Sequence, residues 1–142
     1  MRSLTMEQLS VGDAAEFTKT VTETDVAFFA AISGDFNPVH VDAEWAKRSL
    51  FGARVAHGPL TLALAAGLLG MDLPGVGTIA ETNHIDYRRP VYIGDTIRTR
   101  GEVAERDVER NRVRIALTWT NQDGALVAEG YAVVMPPKSA QL

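Results

Sequence analysis

The chain has 142 residues, of which 46% are apolar and 23% charged, the ordinary balance of a globular protein that buries one core. Its formal net charge of −4 argues against duplex nucleic acid as a partner, which would require a basic face. Because it has no cysteine, disulfides, zinc–thiolate sites and cysteine nucleophiles are excluded, and a reducing compartment fits.

Neither a membrane segment nor a linker is indicated. The N-terminus lacks the apolar run of a signal peptide. The longest apolar stretch, Leu60 to Leu73, is interrupted by polar residues and glycines and is too short to span a bilayer. We therefore expect a cytoplasmic protein without membrane contact, folded as one domain over residues 1–142.

The first predicted elements are a strand and a capped helix. Alternation predicts a strand from Ala14 to Val21, and Thr22 to Asp25 supplies capping chemistry for a helix that continues through Ile32. Ser33 and Gly34 end that helix. Its predicted buried side consists of Val26, Phe29, Ala30 and Ile32.

The most informative segment is S-G-D-F-N-P-V-H-V-D, residues 33–42. Pro38 fixes its own φ and pushes Asn37 out of the helical region, so we expect an irregular turn that aims Asp35 and His40 at one point. A carboxylate and an imidazole placed in this way can hold one water and move protons. Asp-x-Asn-Pro is also a good turn in its own right, and that simpler role stays open.

Two further helices are predicted. Asp42 caps a short helix from Ala43 to Ser49, whose Trp45 is assigned to the core together with Trp119. The second begins at His57-Gly58-Pro59 and continues through an almost wholly apolar run, LTLALAAGLL. A helix that is apolar all round has no water-facing side, so we expect it at the centre of the fold.

The remainder reads as antiparallel strands. They are predicted at Thr78 to Arg88, Asp95 to Glu105, Arg112 to Asn121 and Ala125 to Met135, with a hairpin turn at 121–124. Hairpins that close on one apolar helix predict an α+β domain, in which a strongly curved antiparallel sheet wraps around a central helix.

Three motifs in this order carry a resemblance. S-G-D-F-N-P-V-H-V-D, then V-A-H-G-P, then R-R-P-V-Y-I-G-D-T resemble the MaoC-like family of hot-dog-fold proteins, and most of all its single-domain (R)-specific enoyl-CoA hydratases. The resemblance implies reversible syn addition of water to a trans-2-enoyl thioester, giving the (R)-3-hydroxyacyl thioester. It also implies a homodimer joined edge to edge, leaves a dimer of dimers open, and requires no metal or redox cofactor.

The resemblance also assigns residues. Asp35 and His40 occupy the positions of the family's acid–base pair, and Asn37 matches the amide that orients the site. Gly58 matches the residue whose backbone N–H polarises the thioester carbonyl, and His57 before it either contacts substrate or braces the Gly58 turn.

One departure concerns the central helix. Some relatives carry a serine there near the catalytic aspartate, where this helix offers Ala63, Ala65, Ala66 and Gly67. Pro59 also replaces a larger apolar residue. Neither change removes a catalytic group, and the small side chains leave space for an acyl chain.

Several residues keep two interpretations. Arg54, Arg88 and Arg89 either bind the phosphates of coenzyme A or are solvated surface charges. His84 is interpreted as a packed or exposed strand residue rather than a catalyst, and Asp95 as the cap of the Gly94 turn.

Three other functions compete with the hydratase. A 3-hydroxyacyl-[acyl-carrier-protein] dehydratase would use the same chemistry, but a negatively charged protein suits an acidic carrier less well. A hot-dog thioesterase would want a carboxylate on the central helix, and none lies between His57 and Met71. A non-catalytic acyl-CoA binder has no need of both Asp35 and His40.

Overall fold

A computed structural model describes residues 1–141, whose elements follow the predicted order. One five-stranded antiparallel sheet has the order β1–β3–β4–β5–β2. Its strands are β1 (Ala14–Thr20), β2 (Ile79–Tyr87), β3 (Thr96–Asp107), β4 (Arg112–Thr120) and β5 (Leu126–Met135). The α-helices are α1 (Glu23–Ser33), α2 (Pro38–Val41), α3 (Ala43–Ala46) and α4 (Gly58–Met71).

The core lies between the middle of the sheet and α4. The alternating residues of β4 point to it, and all are at most 1% exposed: Val113, Ile115, Leu117 and Trp119. Leu64 and Leu68 of α4 are buried in the same cluster. Each such side chain contributes about 1.5–3 kcal/mol by leaving water. The expected α+β arrangement, with Trp119 in its core, is confirmed.

The central helix is not enclosed on all sides. Leu60, Leu64 and Leu68 face the sheet and are buried, whereas Ala63 and Ala66 are exposed. The expectation that the whole helix lies in the interior is therefore wrong for one side. Hydropathy could not distinguish the two sides, because alanine and leucine are both apolar.

The capping of α1 is confirmed, but part of its predicted buried side is wrong. The Thr22 hydroxyl accepts the N–H of Asp25 at 3.2 Å, and an Asp25 carboxylate oxygen accepts the N–H of Thr22 at 2.8 Å. Val26 and Ala30 are buried, but Ile32 is 79% exposed. It lies two residues beyond Ala30, about 200° around the helix, so it faces the opposite way.

Trp45 also contradicts the prediction, because it is 41% exposed. The Asp42 cap is present, with its carboxylate accepting the N–H of Trp45 at 2.9 Å, but α3 ends at Ala46. In so short a helix Ala46 takes the buried position, and the indole before it points away from the core. No helix within residues 1–141 is long and apolar enough to cross a membrane.

Candidate active site

Asp35 lies in the turn that follows α1. Gly34 ends the helix at φ 76°, in the left-handed region that glycine adopts without strain. The Asp35 N–H donates to the Ser33 hydroxyl at 3.1 Å, and the Asp35 Oδ1 accepts the N–H of Asn37 at 3.1 Å. One carboxylate oxygen is thus held by its own turn, while the side chain stays 50% exposed.

His40 lies on α2, which is a helix of one turn rather than the irregular turn predicted. Asn37 is non-helical at ψ 129°, as expected, but its side-chain oxygen caps the helix by accepting the Val39 N–H at 3.3 Å. Pro38 occupies the first helical position, where its missing N–H costs nothing. The prediction overlooked that proline can begin a helix as well as prevent one.

One hydrogen bond of the His40 ring fixes its tautomer. Its Nδ1 lies 2.7 Å from the carbonyl oxygen of Val55, and because a carbonyl only accepts, Nδ1 carries the proton. In the neutral ring Nε2 then presents a lone pair, 3.7 Å from the Asp35 Oδ2. That separation is too long for a direct hydrogen bond, but one water can contact both atoms. The buried imidazole is therefore oriented as a proton acceptor beside an ionisable carboxyl group.

His57 contacts both of these residues. Its ring stacks on the His40 ring with centroids 3.8 Å apart and planes at 27°. Its Nε2 lies 2.9 Å from the carbonyl oxygen of Asp35, and the residue is only 1% exposed. It immediately precedes Gly58, so one buried ring contacts both members of the pair at the start of α4.

Gly58 is the first residue of α4, where backbone N–H groups lack helical partners. Its N–H makes no hydrogen bond to a protein acceptor within residues 1–141. A Cβ at this position would come within 2.9 Å of the Tyr87 ring, so only glycine fits here. The N–H and the positive end of the helix dipole together suit a developing negative charge.

A cavity of about 360 Å³ opens beside His40 and Gly58. Tyr87, Arg88 and Arg89 line its other side. Burial raises the pKa of the Tyr87 phenol, so its hydroxyl keeps its proton at neutral pH and can donate a hydrogen bond into the cavity. Tyr87 was missed by the sequence analysis, although an aromatic residue just before R-R-P was a usable signal.

A second cavity, of about 390 Å³, follows the exposed side of α4. Small side chains of the helix line it, among them Ala63 and Ala66, and Ala80 of β2 forms part of its opposite wall. Its lining is largely apolar and lacks any charged side chain. This cavity occupies the space that small residues on α4 were expected to leave.

The three arginines fall into two groups. Arg54 pairs with Glu23 through both guanidinium nitrogens at 2.7 and 2.6 Å, and this hydrogen bonding holds the pKa of Glu23 below its usual range. Arg88 donates to Glu129 at 2.7 Å, and Arg89 to the carbonyl oxygen of Leu126 at 2.8 Å. Only Arg88 and Arg89 reach the cavity beside His40.

Two residues interpreted as structural remain so. His84 is exposed on β2, 3.0 Å from Asp86, and stacks on Tyr131. The carboxylate of Asp95 accepts the N–H of Tyr92 at 2.8 Å in the turn around Gly94. Neither lies in the group formed by Asp35, His40 and His57.

Asp35, His40 and His57 could be considered as metal ligands, because their ligand atoms lie within 4.8 Å of one another. Stacked rings, however, direct their nitrogen lone pairs side by side rather than towards one point. In addition, the Nε2 of His57 is occupied by the Asp35 carbonyl oxygen. The arrangement suits proton transfer better than chelation.

Comparisons with known proteins show which family the chain resembles. The family model described as MaoC like domain matches residues 8–123. The chain is 40% identical to a 3-hydroxybutyryl-CoA dehydratase of Methylorubrum extorquens, covering 99% of this chain and 89% of that protein. It is 37% identical to an (R)-specific enoyl-CoA hydratase of Rhodospirillum rubrum, covering 92% and 90% respectively.

A solved structure is similarly close. R-Hydratase PhaJ1 from Pseudomonas aeruginosa, in its unliganded form, superposes with a TM-score of 0.93 at 40% identity, covering 98% of this chain and 89% of that one. The curved sheet around a central helix is thus the hot-dog fold that the sequence motifs indicated. Fold, motifs and full-length similarity together assign this chain to the MaoC-like family.

Proposed function

We propose that this protein is an (R)-specific enoyl-CoA hydratase, which adds water reversibly and syn to trans-2-enoyl-CoA to give (R)-3-hydroxyacyl-CoA. The observation that carries the proposal is the Asp35–His40 pair, with its 3.7 Å gap, beside the free N–H of Gly58. The enzyme is accordingly a hydro-lyase, and relatives of nearly the same length carry names of this class.

Gly58 polarises the thioester carbonyl in the proposed reaction. When water adds to C3 of an enoyl thioester, negative charge develops on the carbonyl oxygen. The N–H of Gly58 and the N-terminus of α4 stabilise that charge, and they are already in place before the reaction begins. A donor of this kind is worth about 10²–10³-fold in rate.

Asp35 and His40 supply the proton transfer. The water lies against both the Asp35 Oδ2 and the unprotonated Nε2 of His40. Nε2 accepts a proton as the water oxygen attacks C3, and the pair returns a proton to C2 on the same face. The protein gains and loses no net proton. Because the addition of water changes no net oxidation state, the reaction needs no redox cofactor, and the chain's own residues supply the proton transfer and the polarisation of the carbonyl. The Asn37 amide orients this site by capping α2.

The two cavities hold different parts of the substrate. The cavity beside His40 receives the thioester, with Arg88 and Arg89 at its edge for the coenzyme A phosphates. The apolar cavity along α4 receives the acyl chain. An acidic acyl carrier protein suits the net charge of −4 less well than coenzyme A does. The cytoplasmic location remains a prediction.

The outer edge of β2 is the contact that we propose for a homodimer. β2 ends the sheet, and all of its residues except Ile85 are exposed. An unpaired edge strand is a ready template for a second chain. Thr82→Asp on β2 should shift the molecular mass measured by light scattering towards the monomer. Thr18→Asp, at an exposed threonine of the opposite edge strand β1, is the matched control.

The activity is tested by mixing the purified protein with crotonyl-CoA and following the conjugated enoyl absorbance. We expect the absorbance to fall to an equilibrium value while the thioester stays intact. Release of free thiol with an unchanged double bond would instead indicate a thioesterase. Turnover of the enoyl-carrier-protein form alone would indicate the carrier-protein dehydratase.

A further inference from the structure

We propose that His57 is a positioning residue that holds both members of the acid–base pair, rather than a contact of the substrate. The proposal rests on the hydratase function above. His57 is 1% exposed and lines neither cavity described here, so a bound substrate cannot reach its ring. Phe29 covers it on another side, with ring centroids 4.9 Å apart.

The first link is a hydrogen bond to the main chain of Asp35. The carbonyl oxygen of Asp35 only accepts, so the His57 Nε2 must carry the proton and donate at 2.9 Å. The bond joins residues 22 positions apart in the chain. It therefore ties the turn that carries the carboxylate to the start of α4.

The opposite nitrogen fixes how many protons the ring carries. The His57 Nδ1 is buried and has no hydrogen-bond partner within the described part of the chain. A second proton there would bury an N–H with no acceptor, which is costly. The ring is thus a neutral imidazole whose one N–H, at Nε2, donates to Asp35.

The second link is the stack on His40. With centroids 3.8 Å apart, the ring limits the tilt of the His40 imidazole about its bond to Val55. One side chain thus sets the separation of the Asp35 Oδ2 from the His40 Nε2.

His57 also precedes Gly58, so the pair and the carbonyl-binding N–H are positioned through one ring. Misplacing reacting groups by about 1 Å can cost about 10²-fold in rate. We therefore expect substitutions of His57 to lower kcat and to leave KM nearly unchanged, because no substrate contact is lost.

Two variants separate the two links. His57→Gln keeps a donor within reach of the Asp35 carbonyl oxygen but removes the ring, whereas His57→Phe keeps a ring but removes the donor. We expect kcat to fall about tenfold in the first and about 10²-fold in the second. In a His40→Ala background either change should have little further effect, because the groups act as a unit. Val103→Ala, a buried change in β3, controls for lost stability and should leave kcat unchanged.

A readout independent of activity is the ring tautomer. Long-range ¹H–¹⁵N correlation spectra of the wild type should show His57 protonated at Nε2 and His40 at Nδ1, and His57→Gln should shift the His40 resonances. A wild type with these tautomers but no hydration would refute the hydratase proposal alone. Overturning results for His57 would be the opposite tautomer, variants with kcat within twofold of wild type, or a raised KM at unchanged kcat. The role proposed for His57 would also be overturned if the kcat losses of its variants were fully additive with the loss caused by His40→Ala.

Discussion

The sheet and the segment from residue 33 to residue 58 are built in opposite ways. In β3 and β4 every second side chain is buried for long stretches, and the paired backbones satisfy one another. In the segment 33–58 two one-turn helices are held by side-chain caps, and most residues are exposed. The sheet therefore carries the stability of the fold, whereas the segment carries the proposed chemistry. Substitutions in the two regions should affect different measurements.

The largest effect is expected from the acid–base pair. Asp35→Asn and His40→Ala should each lower kcat by about 10³-fold, because either removes a proton-transfer group. Asp35→Asn should leave the urea midpoint nearly unchanged, since that side chain is half exposed. His40→Ala removes a buried ring that hydrogen-bonds to Val55, so its kcat is compared per folded molecule. Asp123→Asn and His84→Ala serve as matched controls and should retain activity. If Asp35→Asn and His40→Ala both kept a near-normal kcat, the proposal that the segment 33–58 carries the chemistry would be wrong.

The complementary change is Ile115→Ala in β4. Ile115 is fully buried, so its truncation should lower the free energy of unfolding by about 2–5 kcal/mol, measured by urea denaturation. The kcat per folded molecule should stay within twofold of wild type. If kcat fell together with stability, the segment would be coupled to the sheet more tightly than proposed.

Gly58→Ala tests the point where the two regions meet. The added methyl would lie 2.9 Å from the Tyr87 ring, so we expect the start of α4 to shift and kcat to fall about tenfold. Tyr87→Leu in the same protein should restore part of the rate by removing the clash. If the double variant is no better than Gly58→Ala alone, the steric explanation is wrong.

The smallest effect is expected from the pair formed by Glu23 and Arg54. Hydrogen bonding to Arg54 lowers the pKa of Glu23 in the folded state. A lowered carboxyl pKa stabilises the fold above the unfolded value and loses that contribution as the pH falls through the folded value. Because Glu23 is mostly exposed, Arg54→Gln should cost only about 0.5 kcal/mol at pH 7. The difference from wild type should diminish in unfolding curves recorded at progressively lower pH, as the Glu23 carboxylate takes up its proton.

Local patterns predicted the elements well. The alternation of Val113, Ile115, Leu117 and Trp119 identified β4, and the Thr22 to Asp25 capping box located α1 to within one residue. Both signals depend on neighbours in the chain. The same holds for the segment 33–42, whose Asp35 and His40 do come together.

Long-range contacts could not be predicted in this way. The approach of Tyr87 to Gly58 and the bond from His57 to the Asp35 carbonyl depend on how distant elements pack. The exposure of Trp45 and Ile32 was likewise decided by which neighbour took the buried position. Composition and periodicity do not indicate which of two neighbouring apolar residues will be buried.

The most direct test of the account is the stereochemistry of hydration in deuterium oxide. Crotonyl-CoA is converted by the wild-type protein, and the product is analysed for configuration at C3 and for the face of deuteration at C2. One water held by Asp35 and His40 should give the (R)-3-hydroxy product with deuterium on the same face as the hydroxyl group. An (S) product, or deuterium on the opposite face, would contradict the account.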